Sequence, residues 1–125
     1  MYPPIFELCA ADSDVQTNLG VNPCRLYPFG EAPEKVILPY AVWQRIGGVP
    51  ENTLADVPDM DSFTIQVDVY GRAGDSVRDA AKALQNVIEQ HAYIISWGPE
   101  GIDPDTRNYR YNFTVDWFVD RDTQS

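Results

Sequence analysis

The 125-residue sequence predicts a single α+β domain over residues 1–125, in which a mainly antiparallel, four- to five-stranded sheet has two helices packed on one face. Two observations lead to this fold class. One long segment places apolar residues at helical spacing, and several segments alternate apolar and polar residues with the period of a half-buried strand. The alternation favours antiparallel neighbours, because the strands of a parallel sheet are usually continuously apolar.

The N-terminal part of the chain predicts one short helix, a second short turn and a brief extended segment. The first helix covers residues 3–11, where two prolines suit its start. Asp12 is placed to cap a second short helical turn that ends at Gly20. Residues 25–27 are extended, and the stretch rich in Pro and Gly that follows them predicts a loop.

Two strands are predicted in the middle of the chain, from Pro39 to Ile46 and from Phe63 to Tyr70. The second has one apolar face for the core and one face that is wet or covered by a neighbour: Phe63, Ile65, Val67 and Val69 against Thr64, Gln66, Asp68 and Tyr70. Residues 48–62 between the strands predict a long acidic loop without a basic residue. Loops of this length are uncommon unless they are functional or mobile.

The longest predicted helix runs from Asp75 to Gln90, and its apolar stripe is expected to lie on the sheet. Ser76 and Asp79 have the spacing of a capping box at its start. The stripe consists of Val77, Ala80, Ala81, Leu84, Val87 and Ile88. The remaining predicted elements are strands over residues 93–97 and 109–119, a loop between them, and a polar tail over residues 121–125.

The charge of the chain argues against several classes of partner. Lys and Arg number 9 against 19 Asp and Glu, for a formal net charge of -10. Such a field repels a phosphate backbone, so nucleic-acid recognition is not expected. No run approaches the ~18 apolar residues of a spanning helix and no signal peptide begins the sequence, so synthesis in a cytoplasm without a membrane partner is expected. Cys9 and Cys24 are expected to be buried, reduced thiols.

The sequence contains no motif for catalysis or for cofactor binding, such as a nucleophile elbow, HExxH or a Gly-rich phosphate loop. His91, the only histidine, is expected to offset the dipole of the long helix rather than to catalyse a reaction. Four aspartate pairs have DxD spacing, but none continues into a calcium loop, which favours solvated turn aspartates over casual cation binding. We therefore expect no enzyme, no cofactor and no metal site.

The aromatic and basic composition indicates assembly. Seven Tyr, five Phe and three Trp are many for two helices to cover, so some are expected on the surface. Tyr, Trp and Arg are enriched at subunit interfaces, and most of the basic residues here are Arg. An ordinary aromatic core with Tyr at its rim is the alternative.

Several consecutive stretches resemble one protein family. They are RLYP at residues 25–28, LPYAVWQRI at 38–46, FTIQVDVY at 63–70 and the Ala-rich helix over 77–88. In this order they are similar to the tail terminator or tail completion proteins of long-tailed bacteriophages. Residues 2–90 carry the resemblance well, and FTVDW at 113–117 matches the family's last strand more loosely.

The resemblance implies a structural α+β subunit that forms a homo-oligomeric, hexameric ring on the last ring of tail tube protein. That ring stops tube polymerisation and offers the surface that joins the head–tail connector, or neck protein. The expected location is the head-proximal end of the virion tail, after assembly in the bacterial host cytoplasm. DNA passes through the lumen without specific binding, and the acidity of the chain suggests walls that repel it.

The long acidic loop is the candidate contact with the tube or with a neighbouring subunit, because apolar anchors stand among its acids. The candidate contact residues are Val49, Glu51, Leu54, Asp56, Val57, Asp59, Met60 and Asp61. A solvated, mobile loop is the competing interpretation. Two other functions stay open: a neighbouring virion part, such as a neck or tube-like protein, and a small ligand-binding domain or enzyme, which would need a concave site with convergent polar groups.

Overall fold

The sheet is built around three twelve-residue strands, each formed by one of the alternating segments. The structure, a computed structural model, describes residues 4–51 and 60–120. The helices are α1 Ile5–Ala10, α2 Ser13–Leu19 and α3 Gly74–Ile88. The strands are β1 Leu26–Pro28, β2 Tyr40–Glu51, β3 Met60–Gly71, β4 Tyr93–Trp97, β5 Gly101–Ile102 and β6 Tyr109–Asp120.

The strand order is β1-β2-β3-β6-β4, and β5 also pairs with β6. The pairings are antiparallel except that of β1 with β2, which is parallel. This confirms the predicted α+β class with a mainly antiparallel sheet. The described residues form six strands rather than four or five, because β5 adds a two-residue pairing. They form three helices rather than two, because Asp12 ends the first short helical segment and begins the next as a separate helix.

The alternating pattern places the core on one face of the sheet, as predicted. The four apolar positions of β3 are buried, and those of β6 face the same way. Helix α3 packs on β3 and β6, and α1 and α2 pack on α3. The core of β3, β6 and α3 comprises Phe63, Ile65, Val67, Val69, Phe113, Val115, Trp117 and the α3 residues Val77, Ala80, Ala81, Ala83, Leu84, Val87 and Ile88.

The pairing of β2 with β3 continues further than the sequence predicted. The register shifts between Arg45 and Gly47, so Ile46 is the extra residue of a β-bulge, and pairing then continues to Glu51 opposite Met60. The two glycines that predicted the end of the strand instead accommodate this irregularity. The prediction of a loop over residues 48–62 is therefore wrong at both ends, and residues 52–59 lie outside the described part of the chain.

Helix α3 begins and ends slightly earlier than predicted. Its N-cap is Ala73, which has no side-chain capping bond, and the Ser76 hydroxyl donates to the Ala73 carbonyl at 3.0 Å from within the first turn. The predicted capping box starting at Ser76 is therefore wrong, because the helix starts two residues before that serine. The helix ends at Ile88, and His91 lies in the turn that follows it.

Candidate assembly surfaces

The face of the sheet opposite the helices carries several polar side chains that bond to one another. Thr64 Oγ1 donates to Asp116 Oδ1 at 2.9 Å across β3 and β6. Gln66 Nε2 donates to both carboxylate oxygens of Asp68 at 3.2 Å, and Asp68 is only 9% exposed. Because these polar groups already have partners, this face has little to gain from a dry contact with another protein.

An aromatic pair closes this polar face at the end of the sheet where β2 begins. The rings of Tyr40 and Tyr70 stack with their centroids 5.0 Å apart, at opposite positions of β2 and β3. Burial raises the pKa of both phenols. The neighbouring Tyr70 raises the pKa of Tyr40 further, and Asp68 does the same for Tyr70. The phenols therefore stay neutral, and the pair contributes packing without charge.

One edge of the sheet is apolar and open. Strand β4 pairs with β6 on one side, and among the described residues no strand pairs with its other side. We call this the β4 edge and define it by four exposed side chains: Tyr93 at 68%, Ile95 at 51%, Trp97 at 57% and Ile102 at 55%. An edge strand that is exposed, apolar and unprotected by Lys or Pro is a surface for association.

The sequence predicted β4 as a strand but did not predict that it lies open. Its five residues, YIISW, contain no charge and no clean alternation, which is typical of a strand buried on both faces. The structure places them beside β6 at the end of the strand order instead. A register shift between Ile94 and Ser96 makes Ile95 a bulge residue on this edge.

The opposite edge carries a second uncharged surface, which we call the β1 side and define as residues 26–30 and 36–40. Phe29 is 70% exposed and Ile37 is 68% exposed. Two hydrogen bonds hold these segments in place: the Phe29 N–H donates to the Trp43 carbonyl at 2.9 Å, and the Arg25 side-chain Nε donates to the Pro39 carbonyl at 2.9 Å. These apolar side chains are therefore presented on an anchored backbone.

Four of the eight predicted contact residues lie in paired strands, and the other four lie outside the described residues. Val49 and Glu51 lie in β2, opposite Ser62 and Met60, and Asp61 lies opposite Val119 of β6. The structure thus brings four of the eight together at one end of the sheet, namely Val49, Glu51, Met60 and Asp61. The other four lie outside the described residues: Leu54, Asp56, Val57 and Asp59.

The cysteines, the histidine and the turn aspartates, which were also considered for chemistry, take part in packing or in capping hydrogen bonds. Cys9 and Cys24 are free and buried, as predicted, and burial raises the pKa of Cys9 to about 12 and that of Cys24 above its usual value. The His91 ring stacks on Trp117 with centroids 6.3 Å apart. Asp12 and Asp103 each accept backbone N–H groups of the residues after them, as turn and cap aspartates do. Within residues 4–51 and 60–120, no three metal-binding side chains come together.

A small hollow lies between the start of α3 and β5. Its volume is about 190 Å³, and its walls include Gly74, Arg78, Glu100 and Ile102. Arg78 Nε donates to Glu100 Oε1 at 2.7 Å, and this bond raises the pKa of the guanidinium. The polar groups here satisfy each other instead of converging on a ligand, and the volume is below the range of about 300–1,000 Å³ usual for small-molecule sites.

The fold and these surfaces define a class of protein: a structural subunit with open edges for assembly. In the described part of the chain, no helix is both long and apolar enough to cross a lipid bilayer. The family model for "Tail completion protein gp17" matches residues 3–120, so the chain belongs to that family. It is therefore a tail completion protein, a structural and non-enzymatic component of a virion tail, and the resemblance read from the sequence is confirmed to this extent.

A solved structure shows the same fold at low sequence identity. It is a chain from the "Virion of native gene transfer agent (GTA) particle", similar with a TM-score of 0.72 at 10% identity over 93% of this chain and 91% of that chain. At this identity the likeness shows the fold alone. No curated protein sequence matches the chain.

Proposed function

We propose that this tail completion protein forms a hexameric ring that caps the tail tube, stops tube polymerisation and provides the tail-side surface for head joining. Its place is the head-proximal end of the tail. The membership of the tail completion family, over residues 3–120, supports the proposal. A terminator has to bind the tube end more tightly than another tube subunit does, and it must not offer a tube-like surface on its other side.

The proposed contact with the tube is supported by the continued pairing of the strands at one end of the sheet. Phe63 in β3 and Trp117 in β6 are buried, and toward this end both strands stay paired for three more residues, to Met60 and Asp120. Three residues of strand span roughly 10 Å. The candidate contact segment, residues 49–61, thus starts and ends on paired strands.

The acidity of the chain is the basis for proposing that the wall of the lumen repels DNA. Residues 1–24 contain three acids and no base, and the exposed Glu7 and Asp14 belong to this segment. An acidic wall repels the phosphate backbone, so DNA passes through the ring without being held. A neutral or basic channel in an assembled particle would remove this part of the proposal.

Tail length tests the function directly. Particles that lack this protein should carry overlong tubes, whereas loss of a neck protein should give tails of normal length that fail to join heads. Electron microscopy of particles from a deletion strain separates the two. Normal tube length in the deletion strain would refute the capping role and favour the neck alternative.

A point variant tests the contact segment. Leu54→Asp places a charge on a candidate anchor and should abolish cosedimentation with purified tail tubes, while the far-ultraviolet circular dichroism of the subunit stays unchanged. Thr106→Asp is the matched control, because Thr106 is exposed in the turn before β6. Undiminished tube binding by Leu54→Asp would exclude that anchor from the contact.

A further inference from the structure

The two edges of the sheet differ from the rest of this acidic surface. Charged residues make up 22% of the chain, yet the five residues of β4 contain none, and neither do residues 26–30 or 36–40 on the β1 side. Two copies with a net charge of -10 each repel one another. Association between copies is therefore favoured where large apolar side chains are exposed, and both edges expose them. Charged side chains border these surfaces, with Glu31 and Arg45 beside Phe29 and Glu100 beside Ile102.

The two surfaces stand at opposite ends of the strand order. Four strand spacings separate β1 from β4, about 19 Å at ~4.8 Å each. Two different surfaces on opposite sides of one subunit are what a head-to-tail contact requires, since each subunit then uses both. A single self-complementary patch would instead give a two-fold dimer and no ring.

We propose that the β4 edge of one subunit docks on the β1 side of the next copy of this chain, with Ile95 and Trp97 packing against Phe29 and Ile37. The inference rests on the proposed ring and names the surfaces that close it. All four side chains are apolar and more than half exposed, and hydrogen bonds hold the backbone of both surfaces to the sheet. Their burial supplies the hydrophobic gain, and neither β4 nor residues 26–30 and 36–40 contain a charged side chain that would have to be desolvated.

The contact is a side-chain contact rather than one continuous sheet across subunits. Strand β1 has only three residues and ends at Pro28, which has no N–H to donate, so it offers little to an incoming strand. The bulge at Ile95 interrupts the ladder that β4 would need for pairing with a second β4. Both features disfavour uncontrolled growth through edge pairing.

Complementation between two variants tests the proposal. Ile95→Lys disables the β4 edge and Phe29→Lys disables the β1 side, and both residues are more than half exposed, so the fold should tolerate the change. Each variant alone should lose self-association by at least about 100-fold, as for a buried anchor. Mixed in equal amounts, they should form a dimer of twice the 14.1 kDa chain, because each retains the surface that the other lacks.

Light scattering with purified full-length chains, with and without tail tubes, is the measurement. Phe6→Lys is the control, since Phe6 is an exposed apolar residue on α1 that belongs to neither of the two defined surfaces, and it should assemble like the unchanged chain. Raising NaCl from 0.05 to 0.5 M should leave assembly as tight or tighter, because screening relieves repulsion between acidic copies.

The outcomes distinguish the inference from the function on which it rests. A mixture that stays monomeric, or an Ile95→Lys or Phe29→Lys variant that still assembles fully, overturns the edge contact. If such a variant also caps tubes at normal length, the proposed function stands while the inference fails. Unchanged chains that remain monomeric both alone and on tubes overturn the ring itself. Assembly that weakens with salt points to ionic contacts and overturns the apolar docking.

Discussion

Replacing Leu84 with alanine tests the contact that holds α3 on the sheet. The Leu84 side chain is fully buried within the apolar stripe of α3, which packs on β3 and β6. The change removes three carbon atoms, whose transfer from water accounts for about 2.4 kcal/mol at ~0.8 kcal/mol each. The cavity left behind adds to this, so we expect the free energy of unfolding to fall by about 3–4 kcal/mol. In a domain of this size that lowers Tm by roughly 10 °C.

Urea denaturation followed by circular dichroism and tryptophan fluorescence measures this loss. Lys82→Ala is the matched control in the same helix, because Lys82 is exposed and its truncation should change stability by less than about 0.5 kcal/mol. The m-value should stay the same in all three proteins. A loss below about 1 kcal/mol for Leu84→Ala would refute the packing of α3 described above. Where Leu84→Ala remains folded it should still assemble, whereas Ile95→Lys should lose assembly and keep its stability.

Three further changes test local features by the same denaturation assay. Asp12→Ala should cost about 1 kcal/mol, because the Asp12 carboxylate accepts the N–H groups of Asp14 and Val15 at 3.1 Å, and Asp12→Asn should retain most of the stability. Burial raises the pKa of the Cys9 thiol from 9.0 to about 12, so the folded state holds the thiol proton more tightly than the unfolded state does. The free energy of unfolding therefore keeps its full value below pH 9 and falls between pH 9 and 12 by at most about 1.4 kcal/mol per pH unit. Cys9→Ala should flatten that fall. Gly71→Ala should cost about 1–3 kcal/mol, because its methyl group would lie 2.8 Å from Val77 Cγ2; unchanged stability would show that the start of α3 shifts freely.

The periodic segments of the fold were predictable because periodicity directly encodes which face is buried. The alternation from Phe63 to Val69 and the stripe from Val77 to Ile88 both lie in the core. The Asp12 cap was also predictable, since a cap acts within three residues. The parallel pairing of β1 with β2 was not, because it depends on how residues 29–39 return the chain to the sheet.

The exposure of the β4 edge could not be predicted from the sequence for a similar reason. Whether an uncharged strand such as Tyr93–Trp97 is central or at an edge depends on which strand lies beyond it, and strand order is a long-range property. Gly47 and Gly48 led to the wrong prediction that β2 ends there, because glycine is common both at bulges and at strand ends. The acidity of residues 48–62 was visible, but acidity alone does not identify the partner.

Use of the sheet edges for ring closure leaves the two ends of the strands as the two axial sides of the proposed ring. These ends differ in charge. At the end where Glu51 meets Met60, the described residues 48–51 and 60–62 include two acids, Glu51 and Asp61, and no base. Toward the other end, acids and bases occur in equal number within residues 72–78 and 100–110, and Arg78 and Glu100 pair there. A ring with two chemically different sides binds a different partner on each, so a tube subunit that fits the acidic side finds no second copy of that surface on which growth could continue.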